Sequence, residues 1–314
     1  MKSNYLALVI LALVLALLPL VLRNQYYLSV LVFVAIHGVI AVGLSLLMGY
    51  TGQISLGHGA FYGLGAYASG ILTTRVQLPP VAAALAACLF TAAVAYLIGL
   101  PTLRLRGHYL AMATLGFGQI VYVVMTAWIG LTGGPSGFGN IPRFRLFGLI
   151  FNSDLKFYYL SCAVLLAGIL FALHLIHSRI GRALQAIHSS ETAAACLGID
   201  IARYKIRVFV LSAAYASLAG SLYAHFVTFV SPESFGISTS ILLVTMVVFG
   251  GRLSVWGAVL GAAILTLLPE TLRVVKDYDV LAYGAILLLA MIFMPLGLFG
   301  FLGSLIRRRI PAAG

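Results

Sequence analysis

The sequence predicts an all-α polytopic membrane protein with about 8–10 transmembrane helices, built as one domain over residues 1–314. Two observations carry this. Hydrophobic residues make up 62% of the chain and charged residues 8%, against roughly 45–50% and 25% in soluble domains. So few charges cannot cover a soluble surface of this size. Apolar runs also recur along the whole chain, most of them with the ~20 residues that a ~30 Å hydrocarbon core requires.

A sliding apolar window gives ten candidate segments. They are Tyr5–Leu22, Leu28–Met48, Ser55–Leu72, Pro80–Leu100, Tyr109–Gly130, Phe157–His177, Arg207–Val230, Ser238–Phe249, Val255–Thr271 and Val280–Leu302. The first follows Lys2, but its apolar run exceeds the roughly 7–15 residues of a signal-peptide core and no small-x-small cleavage site follows. It reads as a retained span. Ser238–Phe249 is too short to cross alone and reads as half of a broken pair with its successor, which leaves eight or nine full spans as the other count.

The net charge of +12 sets orientation. It lies scattered between apolar runs with no basic-aromatic stripe, which argues against nucleic acid. With the N-terminus inside, Lys2, Arg104, Arg106, Arg179, Arg182, Arg203, Lys205, Arg207, Arg252 and Arg307 to Arg309 fall inside, 12 against 7 outside. That bias, with an inside C-terminus, fits the positive-inside rule. Cys88, Cys162 and Cys196 lie far apart, so they give neither a disulfide framework nor metal-ligand spacing and read as packing residues. No cofactor or metal site is expected.

All seven acidic residues fall in loops or at span ends, whereas an ion-coupled carrier usually needs a carboxylate within the membrane. The chain also lacks a phosphate-binding G-x-x-x-x-G-K-[ST] loop and the H-E-x-x-H and G-x-S-x-G patterns of hydrolases. Energy for transport would have to come from another polypeptide.

The inner loop, residues 178–206, reads as structure. Ser190 suits an N-cap, Glu191 suits the positive end of a helix dipole, and "TAAACL" supplies helix formers. Gly198 falls where a left-handed C-cap belongs, and Asp200 can cap the next helix through Arg203 and Arg207. A helix this short needs something to pack against. Its own protein, the lipid surface and a partner are all open at this point.

"GRALQAIHSSETAAACLGID" resembles the coupling loop of ABC-transporter permeases, the E-x-A-A-x-x-x-G type. "GYTGQISLGHGAFYGLGAY", "TLRLRGHYLAMATLGFG", "TGGPSG", "SPESFGISTSI" and "VVFGGRLSVWGAVLGA" resemble, in order, the LivM-like permeases of branched-chain amino acid ABC importers. The resemblance covers most of the chain from Gly49 to Glu270. It implies a multi-pass protein of the bacterial inner membrane with both termini cytoplasmic. It would pair with a homologous LivH-like permease, two ATPase subunits and a periplasmic solute-binding protein. On this reading 131–156 is a periplasmic loop, 178–206 is a cytoplasmic coupling loop between spans 6 and 7, and 304–314 is a basic cytoplasmic tail. Glu191, Thr192, Ala193, Ala194 and Gly198 would be contact and shape residues toward the ATPase. Branched-chain amino acids are the implied substrate, with urea, amides and aromatic acids as related solutes.

The glycine-rich run Met48–Leu72 lacks the Lys and the preceding strand of a nucleotide cradle. Ser55, Gly59, Gly63 and Gly70 fall on one helical face, a small-xxx-small surface for helix packing. Gln53, Ser55 and His58 are its polar groups positioned to meet a passing solute, with plain helix packing the other reading for His58. His37 and His225 read as hydrogen-bonded packing residues. His174 and His177 read as helix-end residues. The pattern G-[QR]-[IL]-S-[LV] occurs at Gly52 and again at Gly251, read as a local turn preference or chance. A self-sufficient channel or secondary carrier for a small neutral solute is the alternative function, and a membrane enzyme has no candidate residues.

Overall fold

The computed structural model describes residues 2–21, 24–105, 107–146, 149–251 and 253–272, with the isolated positions 284 and 288. Apart from those two positions, the expected span Val280–Leu302 lies outside the described residues, as does the tail 304–314.

The helices are α1 (Lys2–Val21), α2 (Gln25–Thr51), α3 (His58–Thr74), α4 (Pro80–Thr102), α5 (His108–Ala127), α6 (Ile129–Thr132), α7 (Asp154–His177), α8 (Arg179–Ser189), α9 (Glu191–Cys196), α10 (Ile201–Val227), α11 (Ile237–Gly250) and α12 (Val255–Leu272). Two 3-10 turns, Gly134–Ser136 and Pro232–Phe235, and a two-residue antiparallel hairpin, β1 (Arg145–Leu146) with β2 (Leu149–Ile150), sit in the connections. Among the described residues, six segments are long and apolar enough to cross a membrane: α2, α4, α5, α7, α10 and Pro232–Gly250. The chain is a polytopic all-α membrane protein, as its composition requires.

α2 is the central post. Within its span-length window 78% of residues are buried, against 28% in α4 and 22% in α5. A helix apolar on every side belongs inside a bundle, and α2 has that pattern from Leu28 to Met48. α10 lies against it and reaches the interior by a different route, through small residues. Ser212, Ala213, Ala216, Ser217, Ala219 and Ser221 are all fully buried. In lipid, burial of apolar side chains does not itself drive helices together, so close packing and interhelical hydrogen bonds must. A Cβ on Gly220 would strike the Tyr62 carbonyl, and one on Gly65 would strike the Ser217 backbone. α3 and α10 therefore meet backbone to backbone.

The small residues of the third span serve two neighbours, with Gly65 facing α10 and the Gly59–Gly63 row facing elsewhere. Gly59 and Gly63 back onto α11 and the turn before it, where their Cβ positions lie 2.5 Å from Ser240 Oγ and 2.8 Å from Phe235 Cβ. Ser55 is not in the helix at all, because α3 begins at His58. The broken pair is corrected too. α11 and α12 form a side-by-side hairpin, with Gly250 against Gly257 and Gly261 against the Met246 carbonyl. The preceding 3-10 turn brings the α11 segment to 19 residues.

α1 is peripheral. Tyr158 and Tyr159 of α7 donate to its Leu15 and Ala16 carbonyls at 2.8 and 3.3 Å, while Leu6, Val9, Leu13 and Leu17 point away from the bundle. α4 likewise turns Leu85, Leu89, Phe90 and Leu97 outward. At the end of the bundle opposite α8 and α9, Phe138 and Val230 exchange backbone hydrogen bonds at 3.0 Å. That bridge pins the "TGGPSG" connection to the loop after α10.

Candidate functional site

The first centre lies where the chain breaks between α2 and α3. Gly52, at φ 68, ends α2 in the left-handed region, which glycine enters without a steric penalty. Residues 52–57 then run without helix back into the bundle. Leu56 N donates to Thr114 Oγ1 at 3.0 Å, about a third of the way along α5. His58, the first residue of α3, reaches Ser212 near the middle of α10.

Non-helical backbone at membrane depth survives only where the protein itself satisfies its polar groups. Hydroxyls do so here. Thr114 takes the Leu56 amide, and Ser55 Oγ lies 3.5 Å from the Gly57 amide. Gly57 has no side chain with which to cap α3, so Ser240 supplies the cap from α11, accepting from Gly59 N at 3.0 Å. The His58 ring is held at both nitrogens, Nδ1 to Ser55 Oγ at 3.1 Å and Nε2 to Ser212 Oγ at 2.7 Å. A hydroxyl can donate or accept, so either ring tautomer is accommodated.

The three polar residues expected here are all buried: Gln53 at 4%, Ser55 at 1% and His58 at 0% exposure. Ser55 and His58 bond each other. Gln53 stands apart. Its Oε1 takes the Thr51 hydroxyl at 3.3 Å, and among the described residues its amide nitrogen has no hydrogen-bond partner. The residues that complete the junction, Thr114, Ser212 and Ser240, were not singled out in the sequence. Each is one hydroxyl among several in its helix, and contacts more than 50 residues away along the chain distinguish it.

The second centre is the loop between α7 and α10. The sequence marks no helix before Ser190, yet α8 forms there, and Ser178 caps it by accepting from the Ile180 and Gly181 amides. Its Gly181, Leu184 and Ile187 form the buried stripe. That three-residue spacing was the available signal. α9 follows with the expected caps. Ser190 Oγ accepts from Ala193 N at 3.3 Å, Gly198 takes φ 78, and Asp200 accepts from Arg203 N at 3.1 Å.

α9 packs by one residue, Ala194, which is 1% exposed. It turns Thr192, Ala193 and Cys196 outward, with Leu197 beyond it 78% exposed. Glu191 faces inward as well. Its carboxylate accepts from Lys205 Nζ of α10 at 2.6 Å, and the lysine side chain is 7% exposed. From sequence Lys205 is only one of the basic residues counted toward orientation.

Four other histidines are bonded within the fold. His37 Nδ1 meets Thr266 Oγ1 at 2.9 Å, and His225 meets Ser69 Oγ and the Pro142 carbonyl at 2.9 and 2.7 Å. His174 and His177 bond carbonyls one turn back in α7, at 2.8 and 2.7 Å. Arg143 donates to the Asn152 carbonyl.

Comparison with known proteins places this architecture. The family profile of the branched-chain amino acid transport system permease component matches residues 26–295. The high-affinity branched-chain amino acid transport system permease protein LivM of Salmonella typhimurium is 36% identical over 286 residues, covering 84% of this chain and 67% of the relative. LivM of Escherichia coli matches to the same extent. The permease protein LivH of Salmonella typhimurium is 24% identical over 282 residues, 84% of this chain and 91% of the relative. No solved structure matches the chain. With the profile spanning most of its length, the chain belongs to the family of permease components of branched-chain amino acid transport systems.

Proposed function

We propose that this chain is a transmembrane permease subunit of an ATP-binding-cassette importer, forming part of the path for branched-chain amino acids or a related small solute. It carries no ATPase site of its own. Two ATPase subunits and a periplasmic solute-binding protein work with it, and a LivH-like permease pairs with it, since the chain is similar to both LivM and LivH. It sits in the inner membrane with both termini cytoplasmic. The 131–156 loop then faces the periplasm, and the 178–206 loop and 304–314 tail face the cytoplasm.

One observation carries the reading. α9 is a six-residue helix, too short to hold together in isolation. It is capped at both ends and rooted by an ion pair, yet its apolar outer side at Ala193, Cys196 and Leu197 is left exposed. A helix so braced and so uncovered suits docking into a cleft. On this reading Thr192 and Ala193 contact the ATPase, while Glu191, Ala194 and Gly198 shape and seat the helix. Gln53, Ser55 and His58 belong to the wall of the solute path, Ser55 and His58 through the junction they hold and Gln53 beside it, and Gly59 and Gly63 let α11 pack against it.

The exposed Cys196 gives the test. In the assembled complex it should crosslink to an ATPase subunit carrying a single cysteine in its receiving cleft, and ATP binding should change the yield. A complex that imports leucine without any ATPase would instead establish the self-sufficient carrier.

A further inference from the structure

The two centres are joined by one stripe of α10. Lys205 and Ser212 stand seven residues apart, two turns along one helical face and about 10 Å in rise. The first holds α9 through Glu191 at 2.6 Å. The second holds the turn into α3 through His58 at 2.7 Å.

Neither end allows slip. The Lys205 ammonium is 7% exposed, and parting it from Glu191 would leave a buried charge uncompensated. α9 and the first turns of α10 are therefore bound to move together. At the other end the junction is packed to backbone contact. A Cβ on Gly57 would lie 2.7 Å from the Thr114 carbonyl, so the turn lies against the α5 backbone with no room for a side chain. The loop helices also reach the base of the same segment, because a Cβ on Gly52 would lie 2.9 Å from His188 Nδ1 of α8.

We infer that Lys205 is a positioning residue that carries displacement of α9 along α10 to the His58 turn, so that the loop helix and the mid-membrane junction move as one body. Packed helices shift between discrete arrangements rather than deforming smoothly. A push at α9 thus reaches the junction as a shift of the α10 stripe. This inference rests on the importer reading above and names the residues through which that importer would be coupled.

The test uses the full complex in proteoliposomes, with radiolabelled leucine and ATP, and measures leucine imported per ATP hydrolysed. Lys205→Met should keep ATP hydrolysis and assembly but lower that ratio about 10-fold, the size of a typical coupling energy. Ser212→Ala should lower the ratio in the same way. Lys205→Arg should restore it. Arg203→Met, which removes an exposed pair with Asp200 at 2.8 Å, should leave it unchanged. An unchanged ratio in Lys205→Met overturns the inference. So does loss of ATPase assembly in Lys205→Met that Lys205→Arg repairs, since that would confine the pair to shaping the docking surface. If the parent complex imports no leucine at the expense of ATP, the importer reading fails, and the variants are not needed to show it.

Discussion

The turns after α2 and α11 share a five-residue pattern, Gly52-Gln53-Ile54-Ser55-Leu56 and Gly251-Arg252-Leu253-Ser254-Val255, yet they build different structures. Both glycines end their helices at positive φ, 68 and 116. In the second copy Ser254 caps the next helix at once, its Oγ accepting from Gly257 N at 3.1 Å, and the chain returns as a hairpin. In the first copy Ser55 holds the same register, but α3 begins three residues later and Ser55 serves His58 instead. Leu253 is 66% exposed where Gln53 is 4% exposed. The pattern therefore fixes where a helix stops. What lies beside the turn fixes where the next one starts: in the first copy α5 and α11 offer hydroxyls to the Leu56 and Gly59 amides, and α10 offers Ser212 to the His58 ring.

The comparison fails first if the neighbours of the first turn are dispensable. Gly220→Leu must push the α10 backbone off the Tyr62 carbonyl, where no flexible side chain can yield. Overpacking of this kind costs about 3 kcal/mol or more, so folded protein extracted in detergent should be largely lost. Gly116→Leu on α5, where nothing lies within 4 Å of the Cβ, is the matched control and should be recovered normally. Equal recovery of the two would remove α10 as the support of the turn.

A smaller effect separates the two serines. His58→Ala leaves the Ser55 and Ser212 hydroxyls buried without the ring that joins them, at a cost of about 1–3 kcal/mol. Its thermal midpoint should fall clearly, while Leu253→Ala in the exposed copy should not move it. A difference between two variants separates the two glycines. Gly251 at φ 116, ψ 106 lies outside the region that asparagine accepts, whereas Gly52 at φ 68, ψ 14 lies within it. Gly251→Asn should therefore cost about 1–3 kcal/mol, and Gly52→Asn less, the His188 ring giving way. The reverse order in thermal midpoints would show that the turns are held by packing rather than by their glycines.

What could be read from sequence was what is local. Ser190, Gly198 and Asp200 act within three or four residues of themselves, so their caps follow from spacing. Composition and apolar run length gave the membrane class and most span positions to within a few residues. His58 meeting Ser212, Gly59 meeting Ser240 and Glu191 meeting Lys205 all depend on how helices are laid together, and a single hydroxyl or lysine carries no mark of its future partner. The start of α3 was misplaced for the same reason. Ser55 is a fair cap by local rules, and Thr114 and Ser240 overrule it from elsewhere in the chain.

The backbone contact between α3 and α10 also bears on how the protein is made. α3 has 17 residues, fewer than a membrane crossing usually takes, and four of its small or polar positions await partners on α10 and α11. α10 begins at Ile201, well over a hundred residues after α3 ends. At typical synthesis speeds of roughly 5–20 residues per second, α3 would leave the ribosome many seconds before its packing surface exists. During that interval it must wait at the insertion machinery or beside α2. Slowing or hastening translation between α4 and α9 should then change how much of the chain reaches its final membrane topology.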